Sequence, residues 1–218
     1  MNGLPPQLRA RILAEAKSVP SETVAERAVG ARVAIALAAL CVTALAYEVG
    51  FPRKRPTEVL VALAVGGAIA ALAVTWMAVA RGKSTLGRPV PVLGTVAALA
   101  PFGILAFACL VAAFDHGVVL MGGTPKQHLS CALFSLAFAA GPFAALVYVR
   151  RGSDPVHPRA LGAAVGAAAG AWGAAMIDVH CSLTTIEHLT LGHALPIVVM
   201  TLLGALLGAR ILGVGARG

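Results

Sequence analysis

Charge is scarce in this chain. Only 12% of its 218 residues are Asp, Glu, Lys or Arg, about half the share of an ordinary soluble domain. Aromatic residues make up 5%, and there are four cysteines. No CxxC pair, Walker loop or dinucleotide fingerprint occurs, and the Gly-rich stretch from Gly162 has no strand before it. These absences exclude a soluble globule, the phosphate-cradling nucleotide enzymes and a thioredoxin-like redox centre. The formal net charge of +8 does not point to nucleic acid either. Lys and Arg sit in short segments between apolar blocks, which leaves no basic surface for a polyanion, so no direct nucleic-acid contact is expected.

What the chain has instead is 59% hydrophobic residues in long runs. Six blocks reach the length that crosses about 30 Å of hydrocarbon at about 1.5 Å per residue: Val33–Gly50, Glu58–Ala80, Val92–Phe114, His128–Val149, Leu161–Cys181 and Leu189–Leu212. Pro52 with Pro56, Gly82 with Gly87, Gly122 to Pro125, and Pro155 with Pro158 punctuate the joints between them. The connection between Cys181 and Leu189 is the shortest; two full spans are expected there rather than a re-entrant hairpin. Pro101, Pro142 and Pro196 fall inside spans and are expected to kink them. The first thirty residues carry Arg9, Arg11, Glu15, Lys17, Glu22, Glu26 and Arg27 without an apolar core, so no cleavable signal peptide is expected. The fold class is therefore an all-α integral membrane protein: a bundle of about six transmembrane helices over residues 31–218, preceded by a short cytoplasmic N-terminal helical segment over residues 1–30.

Orientation follows from the positive charges. With the N-terminus in the cytoplasm, thirteen Lys and Arg fall inside and four (Arg53, Lys54, Arg55 and Lys126) fall outside, which favours both termini inside. Gly162, Gly166 and Gly170 recur every four residues on the fifth span, and Gly204 with Gly208 repeats the spacing on the sixth. Such grooves let helix backbones approach closely. Tight packing within the bundle is the expected use, with a homo-oligomer interface as the other.

That orientation sorts the reactive side chains to one side. Asp115 and His116 end the third span, His128 and Cys131 begin the fourth, Asp178, His180 and Cys181 close the fifth, and Glu187, His188 and His193 open the sixth. Five of the six histidines thus lie at the outer ends, leaving His157 inside. His128 and Cys131 are three apart and share a helix face, as do Asp178 and Cys181. If the fourth and fifth helices meet at these ends, the two thiols can form a disulfide or bind a soft divalent metal such as zinc with His128, His180, His188 or His193 as partners. His180 points away from the Asp178 and Cys181 face. His188 and His193, five apart, lie about 140° apart on an ideal α-helix, so a site using all of these residues needs His188 in the loop. A carboxylate near membrane depth costs about 2.5–3.5 kcal/mol, which marks Asp178 as paired or functional. Cys41 and Cys109, deep in their spans, read as packing residues.

At the other end, Leu4, Leu8, Ile12 and Leu13 follow helical spacing after Pro5 and Pro6, with Arg9 and Arg11 on other faces. Such a stripe suits either a partner's groove or the surface of the bilayer.

The run Leu4-Pro5-Pro6-Gln7-Leu8-Arg9-Ala10-Arg11-Ile12-Leu13 before six spans, His128 to Cys131, Asp178-Val179-His180-Cys181, and His188 with His193 and Pro196 resemble the bacterial membrane anti-sigma factors of the NrsF-like family, negative regulators of sigma F. The resemblance implies a multi-pass protein of the bacterial inner membrane with no enzymatic activity. Its N-terminus, around Leu4, Leu8, Arg9, Arg11, Ile12 and Leu13, would hold an extracytoplasmic-function sigma factor. Cys131 and Cys181, with Asp178 beside them, would sense a periplasmic metal or redox signal. The competing expectation is an integral-membrane metal-binding or thiol-redox protein, enzyme or transporter, that uses the same outer cluster. The near-absence of ionisable residues in mid-span weighs against transport.

Overall fold

The computed structural model describes residues 24–49, 56–80, 88–115, 122–151 and 156–212. The partner-binding expectation at Leu4, Leu8, Arg9, Arg11, Ile12 and Leu13 lies outside them, as does His116. Every element among the described residues is helical: α1 (Val24–Val49), α2 (Thr57–Val79), α3 (Val90–Asp115), α4 (Pro125–Arg150), α5 (Pro158–His180) and α6 (Ile186–Ile211). Helices α2 to α6 are each long and apolar enough to cross a membrane, and α1 holds a shorter apolar stretch, Val29–Ala44.

Local chemistry sets the helix starts. Thr124 opens α4 with a capping box: its hydroxyl accepts from the Gln127 backbone N–H at 3.3 Å, its own N–H donates to Gln127 Oε1 at 2.7 Å, and Pro125 occupies the first helical position. Proline also opens α5, at Pro158. The Thr185 hydroxyl caps α6 by accepting from the His188 N–H at 3.3 Å. Only Cys181–Thr185 separates α5 from α6, and both are full-length helices rather than arms of a re-entrant hairpin.

Helix α5 is the axis of the bundle. Of its apolar stretch 89% is buried, against 22–33% in α2, α3, α4 and α6, because glycine and alanine let neighbours close on it from several sides. A Cβ on Gly162 would collide with the Gly204 carbonyl, one on Gly166 with that of Met200, and one on Gly208 with that of Pro158. The glycine groove of α5 is therefore filled by the backbone of α6, running antiparallel, and is not a free face for a second copy. On the α2 side, the Trp172 indole N–H donates to Thr75 Oγ1 at 3.0 Å, and the Thr75 hydroxyl donates to the Ala71 carbonyl at 2.7 Å. Cys41 packs against Gly141 of α4, and Cys109 lies against the cluster of Ala108, Ala112 and Leu189. The outward faces carry Leu40, Ile69, Leu99, Phe102 and Leu206, all exposed. An apolar exterior of this kind is what lipid, not water, solvates.

The contacts also fix which ends lie together. Gly30 near the start of α1 approaches Val149 near the end of α4, and Gly67 of α2 approaches Ala175 of α5. One end of the bundle thus gathers the beginnings of α2, α4 and α6 with the endings of α3 and α5. The N-terminal end of α1 lies at the opposite end.

Candidate functional site

Three helix ends meet where α4 begins, α5 stops and α6 begins. Here the structure brings together Cys131 Sγ, Cys181 Sγ, one nitrogen of His188 and one of His193, all within 4.8 Å of one another. The two sulfurs are 3.6 Å apart, and Cys181 Sγ is 3.1 Å from His188 Nε2. Cys181, His188 and His193 are buried and Cys131 is half-buried.

Each imidazole is held from behind. His193 donates Nδ1–H to Asp178 Oδ1; in the neutral ring its Nε2 is then a lone pair, and that buried nitrogen has no hydrogen-bond partner. His188 Nδ1 lies 2.8 Å from His128 Nδ1, with ring centroids 5.0 Å apart. One ring donates and the other accepts; with His188 as donor, its Nε2 is also a lone pair directed at the sulfurs. Second-rank partners of this kind fix the tautomer of a metal-binding histidine. Asp178 and His128 therefore orient the two imidazoles, while His180 stands apart: its Nδ1 meets the Met176 carbonyl at 2.8 Å and its ring lies 5.9 Å from that of Phe138.

The separation of His188 and His193 expected on an ideal α-helix is removed by the helix itself. Leu189–Ala194 is π-helical, and the Leu195 N–H bonds to the Thr190 carbonyl five residues back. A π turn holds more residues than an α turn, so a five-residue spacing there brings both rings to one face. Pro196, which has no N–H to give, follows directly; widened turns of this kind are one way a membrane helix accommodates proline.

Several positioning residues carry no reactive group, and the sequence reading assigned them no part in the site. Gly192 passes close to the cluster: a Cβ there would stand 3.2 Å from Cys131 Cβ and 3.4 Å from His188 Nε2. Gly123, at φ +93°, supports the His128 ring at 3.1 Å from where a Cβ would lie. The loops are tied across the site, Thr185 Oγ1 donating to the Gly122 carbonyl at 3.0 Å and the Gly122 N–H reaching Glu187 Oε2 at 3.4 Å. In the sequence, the only signals for these roles were the glycines' identity and the nearness of Pro196.

The arrangement offers two chemistries. The thiols can close into a disulfide by giving two electrons and two protons to an oxidant such as a peroxide, which becomes water. Alternatively, two sulfurs and two imidazole nitrogens can share a cation.

Fold and site together define a polytopic membrane protein with a buried thiol–imidazole centre at one end of its helix bundle. The model of the family described as negative regulator of sigma F matches residues 13–213, and the chain belongs to that family. It is thus a negative regulator of a sigma factor. Comparison with curated proteins and with solved structures gave no match.

Proposed function

We propose that this protein holds an extracytoplasmic-function sigma factor at the inner face of the bacterial inner membrane through residues 1–30, and releases it when a metal cation or an oxidant acts on Cys131 and Cys181 at the periplasmic face. The observation that carries this reading is the opposition of two ends. The thiol–imidazole centre occupies one end of the bundle, and α1, which the N-terminal segment enters, begins at the other. The distribution of positive charge, thirteen against four, favours a cytoplasmic α1 end. Leu4, Leu8, Ile12 and Leu13 supply an apolar stripe for the partner's groove, with Arg9 and Arg11 at its flanks.

Transport is the weaker reading. The buried polar side chains among the described residues are Thr75, His128, Ser135, Arg150, Asp178, His188 and His193. Four of these seven belong to the centre or its supports, and mid-bundle holds only the hydroxyls of Thr75 and Ser135. That is no path for an ion.

The test is capture of a sigma factor by the full-length protein in nanodiscs. Leu8→Asp with Ile12→Asp is expected to abolish capture while leaving the bundle folded. Undiminished capture by this variant contradicts the assignment of the grip.

A further inference from the structure

We infer that Cys131, Cys181, His188 and His193 form a closed, four-coordinate site for a borderline-soft divalent cation of the zinc class, with Asp178 and His128 as positioning residues and His180 outside it. The inference is independent of the sigma-factor reading, because binding is measured with no sigma factor present.

Distance is the first argument. A tetrahedral zinc with bonds of about 2.3 Å to sulfur and about 2.0–2.1 Å to nitrogen spaces its ligands about 3.8 Å from sulfur to sulfur and about 3.5 Å from sulfur to nitrogen. The protein holds its two sulfurs 3.6 Å apart and Cys181 Sγ 3.1 Å from His188 Nε2. Two donor–donor distances are thus already close to those required, and all four donors lie within 4.8 Å of one another, so a cation can be reached by drawing the side chains together.

The second argument is the orphaned nitrogen. His193 is 2% exposed, its Nδ1 is committed to Asp178, and its Nε2 has no hydrogen-bond partner. Leaving a buried polar atom unsatisfied is unfavourable, and a cation among the four donors would supply the missing interaction. The supports are the third. Both imidazoles are braced on Nδ1, one by a carboxylate and one by a second imidazole, and both direct Nε2 inward. Two thiolates with two imidazoles in tetrahedral array select zinc and related soft cations over magnesium and calcium, which take oxygen ligands in larger numbers. Four protein ligands leave no open position, so the site binds and holds rather than catalyses. A disulfide would consume both sulfurs, so cation binding and thiol oxidation exclude each other here.

The experiment uses the full-length protein in detergent, reduced and stripped with a chelator, then titrated with Zn2+ and separately with Co2+. One equivalent of Zn2+ is expected to bind, excess Mg2+ is expected not to compete, and bound Zn2+ is expected to protect Cys131 and Cys181 from alkylation. Co2+ is expected to give the intense visible bands and sulfur-to-metal charge-transfer absorption of a tetrahedral thiolate site. Cys131→Ser, Cys181→Ser, His188→Ala and His193→Ala should each weaken Zn2+ binding by more than the 10–100-fold or so that loss of a supporting residue costs, whereas His180→Ala and Cys109→Ser should bind as the parent does. The spectrum of the unsubstituted protein does not depend on any variant folding. Absence of the thiolate bands, failure of Zn2+ to protect the thiols, or retention of Zn2+ by well-folded His188→Ala or His193→Ala protein would each overturn the site.

Discussion

Asp178 is not one of the four clustered donors, yet it positions one of them. Its carboxylate accepts the hydrogen bond from His193 Nδ1–H and so decides which nitrogen of that ring faces the thiols. Asp178→Asn retains the size of the side chain but loses its charge, and is expected to lower Zn2+ affinity by about 10–100-fold with all four ligands present. Calorimetric titration of the variant against the parent protein checks this, and equal affinities would deny Asp178 its positioning part. The sequence made Asp178, Cys131 and Cys181 legible, because a carboxylate and thiols at helix ends stand out in a chain with so few polar groups. Among the histidines, helical spacing set only His180 apart, pointing away from the Asp178 and Cys181 face. His128, His188 and His193 look alike as letters, and only the packing of α4, α5 and α6 gathers His188 and His193 with the thiols and makes His128 a support.

At the scale of the element, the π segment of α6 and the glycine groove of α5 matter most. Deleting the exposed Thr190 would reduce the spacing of His188 and His193 to four, which an α-helix keeps on one face at about 100° per residue. Inserting an alanine there would lengthen it to six and swing the rings apart. Zn2+ binding is expected to survive the deletion and to fail in the insertion; the reverse result would show that the π turn does not set the geometry. In the groove, Gly166→Leu drives a side chain into the Met200 carbonyl region of α6. Overpacking of this kind typically costs about 1–3 kcal/mol, and here backbone meets backbone, so the upper part of that range or outright misfolding is expected in thermal unfolding in detergent. Thr75→Val removes the hydroxyl that accepts from Trp172 and donates to the Ala71 carbonyl; loss of the bond between helices should cost about 0.6 and at most about 1.7 kcal/mol. The glycine spacing was legible as a packing device because four-residue repeats of small residues lie on one helical face. The π turn was not, since periodicity read at 3.6 residues per turn assumes the very geometry that α6 abandons.

For the whole molecule, six apolar blocks, the punctuation between them and the gathering of thiols and imidazoles at one end were all readable from hydropathy and spacing. The centrality of α5 was only implicit: its Ala and Gly content signals close neighbours without saying how many. The proposed release requires the two ends of the bundle to communicate. Moving a release equilibrium from 1:99 to 99:1 takes about 5.5 kcal/mol of difference in affinity between two states, and on the proposed reading the cation or oxidant would supply it at the cluster by favouring one arrangement of α4, α5 and α6. Because α5 and α6 are backbone-locked along their glycines, that rearrangement is expected to move the pair as a unit against α1 and α4. The most direct measurement reconstitutes the full-length protein with its captured sigma factor in nanodiscs and follows release on adding a soft divalent cation or a peroxide to the cluster's face. Release is expected from the parent protein and not from Cys131→Ser with Cys181→Ser; equal release from both, or none from either, would contradict the account.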